Sequence, residues 1–379
     1  MKKKVLIVTD KIHSKNGGVP TAILNVASLL EKASISFDIL CIGDTLDVKS
    51  NFNIITFPVK GISKFKYSPE GVSWFKNHFN KYEIIYYNCV WNTAIIQLYN
   101  ITIRSGAVYY ISSHSNLDPF DVKKKSLFKK VLGVLIVNKI LCKAKYIITT
   151  SIVEKERLCY FGRKEDNAII LPLPVDYNGL KMGNGITFRK LHGISENQFV
   201  FLFLSRIDYK KGLDLFLHDF RDFVDTEKLR ACDVVVIIAG DNSNAYSTYI
   251  LSVISKLNLG EFVKFIGLVR GVEKADAFCG ADSFILPSYN ENFGLSIVES
   301  MQSGTPVLIS KNVYIYKELF ADGGAIPGWL CDENLKNIKN KIIESYRSKN
   351  NAQFSKDAIQ VSQKYRSENL VSEYSKYFK

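Results

Sequence analysis

Cysteine is sparse in this 379-residue chain, and its spacing excludes more than its number. The seven cysteines, Cys41, Cys89, Cys142, Cys159, Cys232, Cys279 and Cys331, are scattered and odd in number. They form neither a disulfide framework nor a pair at metal-ligand spacing, so reduced core thiols of a cytoplasmic protein are expected. No apolar run reaches the ~18 residues that a membrane span needs. Lys2 to Lys4 do precede an apolar run. Residues 5–8 are too few for a signal peptide, however, and Asp10 follows at once. No metal cluster is visible, and no nucleophile with an adjacent base. The chain also lacks a low-complexity tail and any repeat beyond two similar α/β halves.

What remains is a soluble globular composition, 47% hydrophobic and 23% charged, long enough for two cores. The net charge of +13 is uneven. Residues 1–176 carry 25 Lys and Arg against 14 Asp and Glu, whereas residues 177–379 carry 25 against 23. A basic half beside a near-neutral half suggests an anionic partner surface, either nucleic acid or the inner leaflet of a bilayer. Lys123, Lys124, Lys125, Lys129 and Lys130 form its densest cluster. At about 1 kcal/mol each near anionic lipid, five lysines would support reversible membrane contact. The apolar residues that follow read as a helix packed on a sheet.

Residues 5–8 read as a buried strand, followed by Gly17-Gly18 and a helical pattern over 22–30. Two glycines do not make a dinucleotide fingerprint; they suit a tight turn or a close backbone approach to a ligand. Further strand-like runs fall at 37–42, 53–57, 83–87, 108–112 and 146–150, mostly with helical segments between. That alternation predicts a mostly parallel sheet covered on both faces. His114 lies just past the run 108–112, in Ser113-His-Ser-Asn-Leu-Asp-Pro119. Residues 177–196 are polar, contain four glycines and show no sustained period, so the domain boundary is placed there.

The second half opens with the apolar run 199–204 and Ser205-Arg-Ile-Asp-Tyr-Lys-Lys-Gly212. Arg206 and Lys211 stand where a helix begins, and cations are unfavourable there unless an anion is bound. The runs 234–240 and 263–267 end in Gly240 and Gly267. Residues 283–310 then read as strand, loop, helix and strand, with Glu291 on the loop and Glu299 on the helix. The amides of Phe293, Gly294 and Leu295 open that helix and attract anions. Helices are also expected over 334–346 and 361–378.

The order Pro-Ser-Tyr-x-Glu-x-Phe-Gly-Leu, a second Glu eight residues after the first, then Gly-Thr-Pro-Val resembles the signature of retaining glycosyltransferases of family 4. Arg206, Lys211 and Gly212 resemble that family's Arg-x4-Lys-Gly diphosphate clamp, and His114 with Leu117-Asp-Pro119 resembles a motif of one subgroup. Asn292 stands where the family usually has Gly. Ser113, Ser115 and Asn116 replace Pro, Gly and Met, while Leu173 and Pro174 replace an Asn-Gly turn.

The resemblance implies an α/β protein of the GT-B fold, two Rossmann-like doubly wound domains facing a central cleft. Residues 1–176 would bind the acceptor, 177–196 would link, and 197–364 would bind the nucleotide sugar. A helix within 365–379 would cross back to the first domain. The implied reaction moves a sugar, with retention, from a nucleotide-diphosphate sugar to a hydroxyl of a saccharide or lipid-linked acceptor in surface polysaccharide synthesis. No cofactor or metal is expected. Glu291, His114, Arg206 and Lys211 would serve catalysis. Gly17, Gly18, Gly240, Gly267, Phe293, Gly294, Leu295 and Glu299 would line the donor. A sugar-nucleotide epimerase of the same fold would instead isomerise donor supplied alone. A non-catalytic protein that binds anionic surfaces would tolerate loss of Glu291. Nucleic acid is not the expected partner, because charge explains none of the second half's motifs.

Overall fold

The computed structural model describes residues 3–12, 17–44, 51–61, 66–114, 117–118, 136–158, 167–177, 179–321, 324–349 and 351–379. The chain divides into two units, Met1–Pro174 with Ser367–Lys379, and Val175–Arg366.

The first unit is built on seven parallel strands: β1 (Lys3–Lys11), β2 (Phe37–Asp44), β3 (Ile54–Phe57), β4 (Tyr82–Tyr87), β5 (Tyr109–Ser112), β6 (Tyr146–Thr149) and β7 (Ala168–Ile170). Their order is β3-β2-β1-β4-β5-β6-β7. Val5 to Val8 pair with both β2 and β4 and are fully buried, which is why that stretch shows no alternation of apolar and polar residues. The helix Ser367–Phe378 belongs to this unit. Tyr374 and Phe378 are buried in it, and Phe378 meets the rings of Tyr86 and Tyr110 edge-on. The Tyr110 hydroxyl donates to the Tyr377 carbonyl at 2.7 Å. Full burial of side chains of this size contributes roughly 1.5–3 kcal/mol each.

The second unit has six parallel strands: β8 (Phe199–Leu204), β9 (Val234–Ala239), β10 (Val263–Gly267), β11 (Ser283–Leu286), β12 (Val307–Ser310) and β13 (Gly328–Cys331). Their order is β10-β9-β8-β11-β12-β13. Phe199, Phe201, Phe216, Phe220 and Phe223 fill the core between β8 and the helix Leu213–Glu227.

Two expectations need correction. Residues 177–196, read as a linker without periodic structure, carry the helix Gly185–Leu191. Glycines seat it: a Cβ on Gly183 or Gly185 would lie 2.6 or 2.3 Å from the carbonyl oxygens of Ala275 and Cys279. The single helix expected over 361–378 is two, Ala352–Ser362 and Ser367–Phe378. A 3-10 turn and an extended Arg366 separate them, because the Val175 amide takes the Tyr365 carbonyl at 2.9 Å and Val175 bridges to Arg366.

Candidate active site

In the second sheet the strand order reverses between β8 and β11. Open α/β sheets take ligands beyond the carboxyl ends of the strands at such a point. The loops leaving β8 and β11 touch there at Gly212. Its φ is 68°, and a Cβ on it would lie 2.1 Å from the Pro287 carbonyl oxygen, so no other residue fits without moving one loop. Next to that contact the Tyr289 amide donates to the Lys210 carbonyl at 2.8 Å. The rings of Tyr209 and Tyr289 stack 4.9 Å apart.

These contacts deliver Lys211 to Glu291. The 3-10 turn Tyr209–Lys211 is capped by Asp208, whose carboxylate accepts the Lys210 amide at 3.0 Å. The Lys211 ammonium forms an ion pair with Glu291, and the two side chains are only 12% and 16% exposed. A third loop fixes the Glu291 backbone. Its N–H donates to the Asn312 carbonyl at 3.0 Å, and its carbonyl accepts from Tyr314 at 2.9 Å.

Gly294 then turns the chain into the helix Leu295–Gln302 with φ 69° and no side-chain cap. A Cβ on it would stand 3.4 Å from Glu291 Cγ, so Gly294 lies against the Glu291 side chain. Phe293 is buried and packs edge-on against Tyr365 at 5.4 Å. Glu299, in the second turn, is buried, and its Oε1 takes Lys274 Nζ at 2.7 Å. Arg206 is exposed at the end of β8. The neighbouring Ser205 carbonyl would lie 2.3 Å from a Cβ on Gly240, whose N–H donates to the Gly267 carbonyl at 2.8 Å.

Of the residues singled out in the sequence, His114, Gly17 and Gly18 belong to the first unit. His114 follows β5 in the left-handed region at φ 45°, with Nε2 3.0 Å from Asn88 Oδ1. Burial pushes its imidazole down to about 4. Gly17, φ 82°, precedes the helix Gly18–Lys32. Lys123, Lys124, Lys125, Lys129 and Lys130 lie outside the described residues. Among the described residues no group of three His, Cys, Asp or Glu is placed to hold a metal, and no helix is long and apolar enough to cross a membrane.

Residues 186–361 match the family model of glycosyl transferases group 1. This segment is similar to the glycosyl transferases of group 1. Among curated proteins, the alpha-monoglucosyldiacylglycerol synthase of Streptococcus pneumoniae is 32% identical over 136 residues, covering 36% of this chain and 30% of that protein. A D-inositol 3-phosphate glycosyltransferase of Catenulispora acidiphila is 29% identical over 140 residues, covering 36% and 33%. The chain thus aligns with about a third of the length of these relatives. The solved structure of Anabaena Alr3699/HepE with UDP and glucose superposes with a TM-score of 0.77 at 19% identity, over 99% of this chain and 98% of that one. WaaG, a glycosyltransferase involved in lipopolysaccharide biosynthesis, gives 0.74 at 15%, over 99% of each. The fold is GT-B, with two Rossmann-like parallel-sheet domains.

Within the second unit, Lys211, Gly212, Glu291 and Gly294 lie at the loops leaving β8 and β11, and Phe293, Leu295 and Glu299 belong to the same loop and the helix that follows it. Sequence reading missed Lys274, the partner of Glu299, and the stacked Tyr209 and Tyr289. Lys274 sits on the helix Gly271–Gly280, far from Glu299 in the chain, so no spacing marks the pair. Tyr289 lies inside the recognised string but carried no distinguishing signal.

Proposed function

We propose that this chain is a retaining glycosyltransferase, moving a sugar from a nucleoside-diphosphate sugar to a hydroxyl of a lipid-linked saccharide. The observation that carries this reading is the convergence of Lys211 and Glu291 at the switch point of the second unit, beside Gly294. One cation and one carboxylate, each satisfying the other, can exchange that partner for a diphosphate and a pair of sugar hydroxyls.

When the anomeric C–O bond breaks, positive charge grows on the sugar and negative charge on the leaving diphosphate. Arg206, Lys211 and the amides of Phe293, Gly294 and Leu295 take the negative charge, and preorganised donors of this kind are often the largest catalytic contribution. Glu291 holds sugar hydroxyls, Glu299 the ribose, and His114 the donor sugar; Gly240 and Gly267 flank the nucleotide. The new C–O bond forms on the face that the diphosphate leaves, and the acceptor proton passes to that diphosphate. Gly17 and Gly18 line the donor, with residues 1–176 as the acceptor domain and 197–364 as the donor domain.

Because the Anabaena HepE structures hold UDP-glucose, UDP-hexoses are the first donors to test. The basic first half and the glucolipid named in the pneumococcal relative support a lipid-linked acceptor at an anionic inner leaflet, reached through the lysines at 123–125 and 129–130. Surface polysaccharide synthesis is the setting we assign. A panel of sugar nucleotides screened by thermal shift identifies the donor, since a bound ligand raises the melting temperature. Transfer is then followed by NMR, where the product must keep the donor's anomeric configuration. An inverted product refutes retention, and a panel in which nothing shifts refutes the donor site.

A further inference from the structure

Among the described residues the His114 ring has one hydrogen-bond neighbour, and that neighbour determines which nitrogen bears the proton. Asn88 follows β4 and is buried, with its backbone amide donating to the Val8 carbonyl at 2.8 Å. Its side-chain Nδ2 donates to the Tyr86 carbonyl at 3.3 Å, and its Oδ1 lies 3.0 Å from His114 Nε2. Turning the amide over would set Oδ1 against the Tyr86 carbonyl, two acceptors with no proton between them. Oδ1 therefore faces the imidazole, and an amide oxygen can only accept. His114 Nε2 carries the proton, and in a neutral ring the other nitrogen is then a bare lone pair.

We infer that Asn88 is a positioning residue that locks His114 in its Nε2–H tautomer, so that Nδ1 accepts a hydrogen bond from a substrate hydroxyl. This deepens the proposed function and rests on it for the substrate. The loop itself is braced from below. The Ser113 hydroxyl donates to Glu154 Oε1 at 3.2 Å, and Glu154 Oε2 accepts the Thr150 amide and hydroxyl at 2.7 and 2.9 Å. With the backbone held in the left-handed region, the ring's orientation is left to Asn88. Burial favours the neutral ring. The ionisable groups on the surrounding elements are engaged elsewhere: Glu154 as above, Asp118 with Arg157 at 3.4 Å, and Asp10 with Asn92 at 3.3 Å. A neutral acceptor suits a sugar hydroxyl, whereas an imidazolium has no lone pair to offer.

The test is ring 15N NMR on the full-length protein, with the His114 signals assigned by their loss in His114→Gln. Wild type should show a protonated Nε2 and a bare Nδ1 at neutral pH. Asn88→Ala should populate both tautomers and raise the donor KM about tenfold, the loss of roughly one such bond, with a smaller change in kcat. In Asn88→Asp the new carboxylate should raise the imidazole pKa, so donor affinity falls at acid pH and recovers as the ring deprotonates. Thermal melts confirm that each variant is folded, and either variant alone suffices for the comparison. A protonated Nδ1 in wild type overturns the inference. So does a tautomer mixture in Asn88→Ala with unchanged donor KM, although glycosyl transfer would still stand. Absence of any sugar-nucleotide binding by wild type overturns both.

Discussion

Replacing Lys211 by Met separates the stability of the site from its chemistry. The substitution leaves the Glu291 carboxylate, 16% exposed, without its cation. An unsatisfied, largely buried charge-assisted partner costs about 1.5–3 kcal/mol. For a unit of this size that corresponds to a fall in melting temperature of roughly 4–9 °C. Adding Glu291→Gln removes the stranded charge, so the double variant should recover most of that loss. Activity should not follow. Losing one preorganised donor to the leaving diphosphate raises the barrier by about 2.7–4 kcal/mol, or 10²–10³ in kcat. The double variant should therefore be as stable as wild type within about 1 kcal/mol and still be inactive. Thermal melts read one axis, and release of nucleoside diphosphate from the donor reads the other. A Lys211→Met enzyme with kcat within threefold of wild type refutes the reasoning. So does a double variant less stable than both single variants.

Three further outcomes are expected. Gly212→Ala adds a Cβ 2.1 Å from the Pro287 carbonyl at a positive φ, so it should cost more than about 2 kcal/mol in urea unfolding and abolish transfer. Lys274→Met should weaken binding of the nucleoside diphosphate by calorimetry, because the buried Glu299 loses the cation that orients it; unchanged affinity argues against a role for Glu299 at the ribose. His114 is held near 4, below its ordinary value of 6.5, so between those values the unfolded chain binds more protons than the folded one. Stability should therefore rise with pH across that window by at most about 1.4 kcal/mol per unit, level off above it, and lose that slope in His114→Gln.

The legible parts of this protein are those whose chemistry is local in the chain. Gly212 is marked by the lysine before it and Gly294 by the phenylalanine before it, since each turn needs neighbouring residues. Apolar runs such as 199–204 and 234–239 signalled strands buried on both faces, and the parallel sheets followed. The strand Gly328–Cys331 carried no such run and was missed; its neighbour β12 defines it. The helix Gly185–Leu191 is too short to show a period and depends on glycines pressed against the helix Gly271–Gly280. The pairs that hold these side chains join distant positions: Lys274 with Glu299 and Gly212 with Pro287 in the second unit, and Asn88 with His114 in the first. No spacing rule reaches across such separations, because the sheet order decides which loops become neighbours.

A crystal structure of the protein soaked with an intact UDP-hexose tests the central claim most directly. The account predicts diphosphate oxygens within hydrogen-bonding distance of Lys211 Nζ and the Gly294 amide, with Glu291 released from Lys211 onto the sugar hydroxyls. A nucleotide bound away from the ends of β8 and β11, or one that leaves the Lys211–Glu291 ion pair intact, contradicts it.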